Sequence, residues 1–487
     1  MASSERTGRC ELLLRVFLSL ESFLLLLIRE VDGILRSLRP AFSRQATFRW
    51  FVLAVWAFLL RFEGEGVTSL VRCLGLVSSD YFNLLHFFHS PALDLDALAR
   101  LWTRAVLART QRLQLAGRPL YVCDAIKIPK AGQKMPAVKG MHQESSGNTK
   151  PGYIMGHFWC SIGVLSGTFT HCFSIPLRFM IHDGIKRSPS EKATLSDKAA
   201  ALMVATVAPG ALIVADCAYA CRKILDALKK AGLHLLSSVR SNTVAYWPAP
   251  QPKERPGRGR PRKYGDKVKL RDLFREQQHF QRADFQLYSE LKDVRYRSVD
   301  LWWLGHFVRF VITLFPNGVR KILVSTDLTL GAESIIRGYC VRFKIETAFK
   351  ALVRTLLAGC YRFWMLTMKP RKRGAGDQYL HRATRDYRLA IARKIGAYER
   401  FLNVAAISLG LLQLVSLRCS TTVWSRFASW LRTRPRHGFP SENVVRHTLR
   451  SEWARISPRN RRSTLLEEFL AGSRNPDTRQ DPLALAG

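Results

Sequence analysis

The stretch Ala211-Leu212-Ile213-Val214-Ala215-Asp216 decides the fold: five apolar residues ending on an acid. A short apolar run of this kind reads as a buried strand. A carboxylate at its end is costly to bury unless it is paired or holds a metal. Upstream, Ser190 to Val207 reads as a helix. Downstream, Arg222 to Ala231 reads as a helix closed by Gly232, and Leu233 to Val239 as another strand. Farther upstream, residues 153–165 and 169–181 are rich in Phe, Ile, Val, Thr and His, with Gly167 in the turn between them. They predict an antiparallel hairpin. Leu120-Tyr-Val-Cys-Asp-Ala-Ile126 is the first strand, with an acid inside it. Strand, strand, strand, helix, strand, helix, strand is the order of an RNase H-like core, an α/β fold on a mixed five-stranded sheet with helices.

Outward from that core the pattern changes. Residues 1–112 form a helical N-terminal region, read as DNA-binding; its stretch from Gly66 to Leu85 has a helix-turn-helix rhythm, and a plain helical bundle reads as well. The core runs over 113–240 and is interrupted at 241–318 by a mostly β insertion, which opens on a Pro-, Gly- and Arg-rich stretch from Pro248 to Pro261. The core resumes over 319–365 with a strand at Lys321 to Asp327 and one long helix from Ala332 to Leu357. Residues 366–487 are basic and helical to about Leu431, then Pro-, Arg- and Ser-rich.

Charge narrows the partners. The 487 residues carry 76 Lys and Arg against 37 Asp and Glu, a net +39 spread along most of the chain. A compact body repels itself at that charge unless a polyanion neutralises it. The spread favours a protein lying along DNA over one with a single membrane patch. The longest uninterrupted apolar run, Trp50 to Leu60, is eleven residues, and a spanning helix needs about 20, so no membrane partner is expected. The ten cysteines lack zinc-finger spacing, and Cys123 and Cys160 read as small buried hydrophobes. No signal peptide is legible, and the expected location is the cytoplasm, on the nucleoid.

Asp124 and Asp216 lie on different strands, 92 residues apart. Either alone reads as a cap or an arginine partner. A third acid changes that reading: Glu346, in Tyr339-Cys-Val-Arg342-Phe-Lys-Ile-Glu346-Thr-Ala-Phe-Lys350. At about 100° per residue, Tyr339, Arg342, Glu346 and Lys350 share one helix face. A solvated Glu346–Lys350 pair is the plain alternative, but Ile336, Phe343, Phe349 and Leu352 predict a largely buried helix. Three converging carboxylates are the hard oxygen donors that two-metal phosphodiester chemistry requires.

These motifs resemble those of DDE transposases of bacterial insertion sequences, the group with a Tyr-x2-Arg-x3-Glu signature around its last acid. The resemblance covers about residues 40 to 415. It rests on the Asp124 strand with the Pro129-Lys-x-Gly-x-Lys-Met-Pro136 loop, on Leu212 to Asp216, and on Tyr339, Arg342 and Glu346. It implies Asp124, Asp216 and Glu346 as catalytic, metal-holding residues with two Mg²⁺ or Mn²⁺ ions. It further implies DNA cleavage at element ends, strand transfer into target DNA, binding to double-stranded terminal inverted repeats, and a homodimer in the DNA complex. One departure stands out: the group carries Lys seven residues after its Glu, where this chain has Val353. Lys350 or Arg354 would supply that cation.

Other motifs point to DNA. Pro256-Gly-Arg258-Gly-Arg260-Pro261-Arg262 resembles an AT-hook, whose extended arginines enter the narrow minor groove; a flexible basic linker is the alternative. Lys130 and Lys134, near Asp124, are placed to hold phosphates beside a scissile bond, as are Tyr339, Arg342 and Lys350. His182-Asp183-Gly184 reads as a turn, and Asp327 as a cap. Of Trp302 and Trp303, adjacent in a strand, at most one is plain core, and the other is available to stack on a base. The leading function is therefore an active transposase. A catalytically inactive, domesticated DNA-binding protein or repressor is the runner-up, and a basic membrane-surface protein a distant third.

Overall fold

The computed structural model describes residues 27–143, 152–191, 193–250, 262–287, 290–431, 433, 438–456 and 464–470. The chain begins with helices α1 (residues 27–37), α2 (Gln45–Leu60), α3 (Val67–Cys73), α4 (Asp80–His89) and α5 (Leu95–Leu107). The apolar run at Trp50 to Leu60 is the buried body of α2. Gly75, at φ +60°, lies between the two helices of the helix-turn-helix rhythm. Asp94 caps α5 by accepting the amides of Asp96 and Ala97 at 2.9 and 3.0 Å.

A large mixed sheet with flanking helices follows. Its first part is β1 (Gln114–Leu115), β2 (Arg118–Pro129), β3 (Lys139–His142), the hairpin β4 (Tyr153–Gly167) and β5 (Cys172–Ile181), and the short β6 (Ile185–Lys186). Gly167 turns the hairpin at φ +118°, and a Cβ there would stand 2.5 Å from the His171 carbonyl oxygen, so only glycine fits. Helix α6 (Leu195–Thr206) starts with a Thr194–Asp197 capping box and leads into β7 (Leu212–Ala215). Helix α7 (Arg222–Lys230) then leads into β8 (His234–Val239). Strands β2, β7 and β8 are parallel, while β4 is antiparallel to both β2 and β5. The spatial order is β5-β4-β2-β7-β8, and a mixed α/β sheet with flanking helices is consistent in general terms with the RNase H-like expectation.

The sheet does not stop at five strands. The insertion is β-rich as expected, with β9 (Val244–Pro248), β10 (Tyr264–Lys269), β11 (Gln281–Leu287), β12 (Glu290–Trp303) and β13 (His306–Leu314). Strand β14 (Arg320–Ser325) joins β13 to β8 on antiparallel ladders, making one 13-stranded sheet among the described residues. Without β14, β8 would expose its backbone N–H and C=O groups as a free edge, and pairing satisfies them. Trp303 is the core member of its pair, packed on Phe310, whereas Trp302 faces outward against Tyr264, Phe307 and the Lys263 ammonium.

The expected single helix from Ala332 to Leu357 is instead segmented. It comprises α8 (Ala332–Cys340), a 3₁₀ turn at Val341–Phe343, α9 (Lys344–Lys350) and a π turn at Ala351–Thr355. Periodicity alone does not reveal such breaks, because each preserves the helical direction. After β15 (Gln378–Tyr379), helix α10 (Arg385–Arg418) runs 34 residues. It is long and apolar enough to cross a membrane, yet 89% of its apolar window is buried in the molecule. It is the central core helix, packed on α2, α4 and β5. Its Asn403 side chain bonds both the N–H and the C=O of Phe179 at 2.9 Å, standing in for a neighbour at the β5 edge. Helices α11 (Ser420–Arg426), α12 (Glu442–Ile456) and α13 (Leu465–Leu470) complete the described chain.

Candidate active site

Register brings the two aspartates together. Cys123 of β2 pairs with Ala215 of the parallel β7, and Ala215 pairs with Ser237 of β8. The next residue on each is Asp124, Asp216 and Ser238. Neighbouring strands lie about 4.8 Å apart, and residues at one level point to the same face. Asp124 and Asp216 therefore stand side by side, with Ser238 beyond. Val122 and Val214, two residues earlier and so on the same face, are wholly buried, so the polar row begins where the apolar ladder ends.

The α8–α9 segment lies over this row. Tyr339, itself buried, donates its hydroxyl to Ser238 Oγ at 2.8 Å and fastens the segment to β8. Arg342 donates to Asp124 Oδ2 at 2.8 Å and to Glu346 Oε1 at 2.6 Å. One guanidinium thus bridges two of the three acids. Burial pushes the Asp124 carboxyl up to about 6, and Asp216 and Glu346 add to that, against the Ala125 amide and Arg342. Burial works to lower the Arg342 pKa, but Asp124, Tyr339, Glu346 and Asp216 together raise it above the usual range, so it stays charged. The three acids thus share one electrostatic neighbourhood.

In donor chemistry the set fits a hard divalent cation: three carboxylates, two on adjacent strands. In the arrangement found, no group of three His, Cys, Asp or Glu among the described residues is close enough to hold one. Arg342 occupies the space between Asp124 and Glu346 and neutralises them. Glu346, held by Arg342 through one carboxylate oxygen, keeps 44% of its side chain exposed.

The cationic residues divide. Lys350 and Arg354 are exposed beyond Glu346, and Val353 is half-buried. Lys134 donates to the Leu366 carbonyl at 3.0 Å near the surface. Lys130, expected at a phosphate, is instead 9% exposed; its ammonium donates to the carbonyls of Gly359 and Tyr361 and lies 3.5 Å from the Tyr361 ring centroid. Burial pulls its pKa down to about 7. Its role in this arrangement is to tie the loop after β2 to the segment after Glu346. Arg262 is exposed, while Arg258 and Arg260 lie outside the described residues.

Two further residues at the site carry no distinctive signal in the sequence. Ser238 was legible only as one of two serines inside an apolar strand. His157, wholly buried, donates from Nε2 to the Pro136 carbonyl at 2.9 Å, so its Nδ1 accepts the Tyr361 hydroxyl at 2.8 Å. Burial holds its pKa down near 3. This neutral imidazole and Lys130 clamp the same loop.

Asp327 and Asp183, by contrast, are each held by basic side chains away from this row. Asp327 is buried, ion-paired with Arg118 and bonded by Thr329 at 3.0 and 2.7 Å. Arg118 lies six residues before Asp124 on β2, about 20 Å along a strand. Asp183 is held by Lys198 and Arg187 at 2.7 and 2.5 Å, in keeping with a turn role.

Residues 184–297 match the family described as DDE superfamily endonuclease. That stretch contains Asp216 but neither Asp124 nor Glu346. Among solved structures, the chain has a likeness to one described as the cryo-EM structure of the piggyBac transposase synaptic complex with hairpin DNA. The identity is 13%, covering 94% of this chain and 85% of that one, with a TM-score of 0.36. Comparison with curated proteins returns no match.

Proposed function

We propose that the chain is a DDE transposase of the insertion-sequence type, with an RNase H-like catalytic core. The observation that carries this reading is the shared level of Asp124 and Asp216 on adjacent parallel strands, with Glu346 joined to Asp124 through Arg342. The match of residues 184–297 to DDE superfamily endonucleases supports it independently.

In this reading Asp124, Asp216 and Glu346 hold two Mg²⁺ or Mn²⁺ ions, which supply an activated nucleophile and stabilise the leaving oxygen. Arg342 occupies the acid cluster in the free protein and pairs with phosphate once the acids are otherwise neutralised. Tyr339 keeps the helix, and so Glu346, in register with β8. Lys134 and Lys350 contact flanking phosphates. Arg354, rather than Lys350, takes the place of the cation missing at Val353: the π turn at Ala351–Thr355 winds an extra residue, so the residue eight after Glu346 returns to the face that a seventh would occupy in regular helix. The substrates are duplex DNA with terminal inverted repeats and target DNA, bound by a homodimer in the cytoplasm. The test is Mg²⁺-dependent nicking of a duplex carrying the inverted repeats that flank the coding element. Tight binding without nicking in Mg²⁺ or Mn²⁺ would establish a repressor instead.

The arginines of the AT-hook-like segment give a second test. In sequence this segment lies between β9 and β10. Replacing Arg258, Arg260 and Arg262 by Ala is expected to flatten the log–log salt dependence of duplex binding by about 0.9 per lost phosphate contact. The loss of affinity should be largest on A·T-rich duplex. An unchanged slope in salt titrations would leave the segment a linker.

A further inference from the structure

We propose that Arg61, Arg446 and Arg450 form a second, non-catalytic site that binds a phosphate-type oxyanion at the far end of the helical segment carrying Glu346. Arg61 follows α2, while Arg446 and Arg450 stand one turn apart on α12. Nearly 400 residues of chain separate the two elements, yet they converge on the same turn.

The first two arginines grip the end of that segment. Arg61 Nη2 donates to the carbonyls of Leu356 and Leu357 at 2.7 and 2.9 Å, and its Nη1 to Ser69 Oγ at 3.0 Å. Arg446 donates to the carbonyl of Thr355, and from Nε to that of Leu59 at 3.2 Å. Every acceptor is neutral. Among the residues whose side chains are described, no carboxylate lies within ion-pair distance of any of the three arginines.

Three N–H groups remain without an acceptor: Arg61 Nε, Arg446 Nη2 and Arg450 Nη1, all buried atoms. Arg61 is 1% exposed and Arg446 is 7% exposed. Buried guanidinium groups without a counter-charge are strongly unfavourable. A helix C-terminus offers about half a negative charge, against three positive ones. Arg446 and Arg450, at i and i+4, also repel along their own helix. Burial depresses Arg61 and Arg446 to about 10 and Arg450 to about 9, in keeping with cations that lack an anion. Phe62, 57% exposed, lays its ring against the Arg446 and Arg450 guanidinium groups at the surface side of the cluster. The unpartnered nitrogens are one each on Arg61, Arg446 and Arg450, and charged N–H donors of this kind are the ones that phosphate oxygens accept.

The anion is either free phosphate or a backbone phosphate of bound DNA, and one set of measurements separates them. In thermal unfolding of the full chain at constant ionic strength, inorganic phosphate should raise the midpoint above that in chloride. Arg450→Gln should shift half-saturation upward by about tenfold, the worth of one charge-assisted hydrogen bond. Arg450→Lys, which keeps the charge but loses the fork, should fall between. Arg72→Gln, at an exposed arginine paired with Glu63, should respond like the parent. If the occupant is a DNA phosphate, duplex DNA should abolish the phosphate effect, and Arg450→Gln should flatten the salt slope of binding by about 0.9. If it is a free anion, the effect should persist with DNA bound and the slope should not change. Asp216→Asn must keep the phosphate response, so failure of the catalytic reading leaves this one standing. Equal midpoints in phosphate and chloride, or an Arg450→Gln protein that responds like the parent, would overturn the proposal.

Discussion

Asp216→Asn is expected to lower Mg²⁺-dependent nicking of an inverted-repeat duplex by several orders of magnitude, while duplex affinity holds or rises slightly. The substitution preserves size and most hydrogen bonding but removes the charge that a divalent cation requires. Asp216 stands beside Asp124 at the level where the apolar ladder of β2 and β7 ends, so a lost charge there is not replaced by another acid. Affinity rests on Lys and Arg contacts to phosphate, and a negative charge close to the DNA is gone. Glu346→Gln should behave alike. Asp327→Asn should leave nicking intact, because Asp327 is bonded to Arg118 and Thr329 at the other end of the strands. The measurement pairs gel-shift affinity with nicking on one duplex. Parental nicking by Asp216→Asn would place the chemistry elsewhere.

Arg342→Gln is expected to cost the metal-free protein a few kcal/mol at neutral pH, on the scale of a broken, partly buried ion pair. Asp124 and Arg342 each keep less than a fifth of their side chains exposed, so solvent screens that pair weakly; the Glu346 side is more open and contributes less. The sign of the pH dependence follows from Asp124. Burial holds its folded pKa at about 6, above the ordinary aspartate value of 3.8. The folded state therefore binds more protons between those values, and stability falls as pH rises through them. In the parent that loss approaches about 3 kcal/mol, at 1.36 per pKa unit. Removing Arg342 takes away the cation that opposes the shift, so the folded pKa rises further and the loss deepens. The variant should match the parent most nearly below about pH 4, where Asp124 is protonated in both. Added Mg²⁺ should raise its unfolding midpoint more than the parent's, since a dication then does the work of the missing guanidinium. Denaturant midpoints measured across pH 4–8, with and without Mg²⁺, check this. A variant as stable as the parent throughout would mean that Arg342 does not neutralise the acids.

The sequence by itself determined the strand and helix alternation of the core, the strand positions of Asp124 and Asp216, and the helical setting of Glu346. Those features are local: an apolar run excludes water, and an acid set within or after it stands out whatever the rest of the chain does. It also determined the β character of residues 241–318 and the strong positive charge of the chain. Only the tertiary structure decided which residues stand level with one another. Cys123 meets Ala215 because β2 and β7 pair in parallel at that register, and slipping by one residue would turn an aspartate to the opposite face. Only packing decided that Arg342 bridges two acids while Lys130, as polar on paper as Lys134, is drawn inward to two carbonyls and a tyrosine ring. The burial of a long cationic side chain depends on which acceptors distant segments bring to it, and no local pattern carries that information. The same reason hid the meeting of Arg61 with Arg446, the joining of the insertion to β8 through β14, and the breaks in the helix from Ala332, all settled by contacts between segments far apart in the chain.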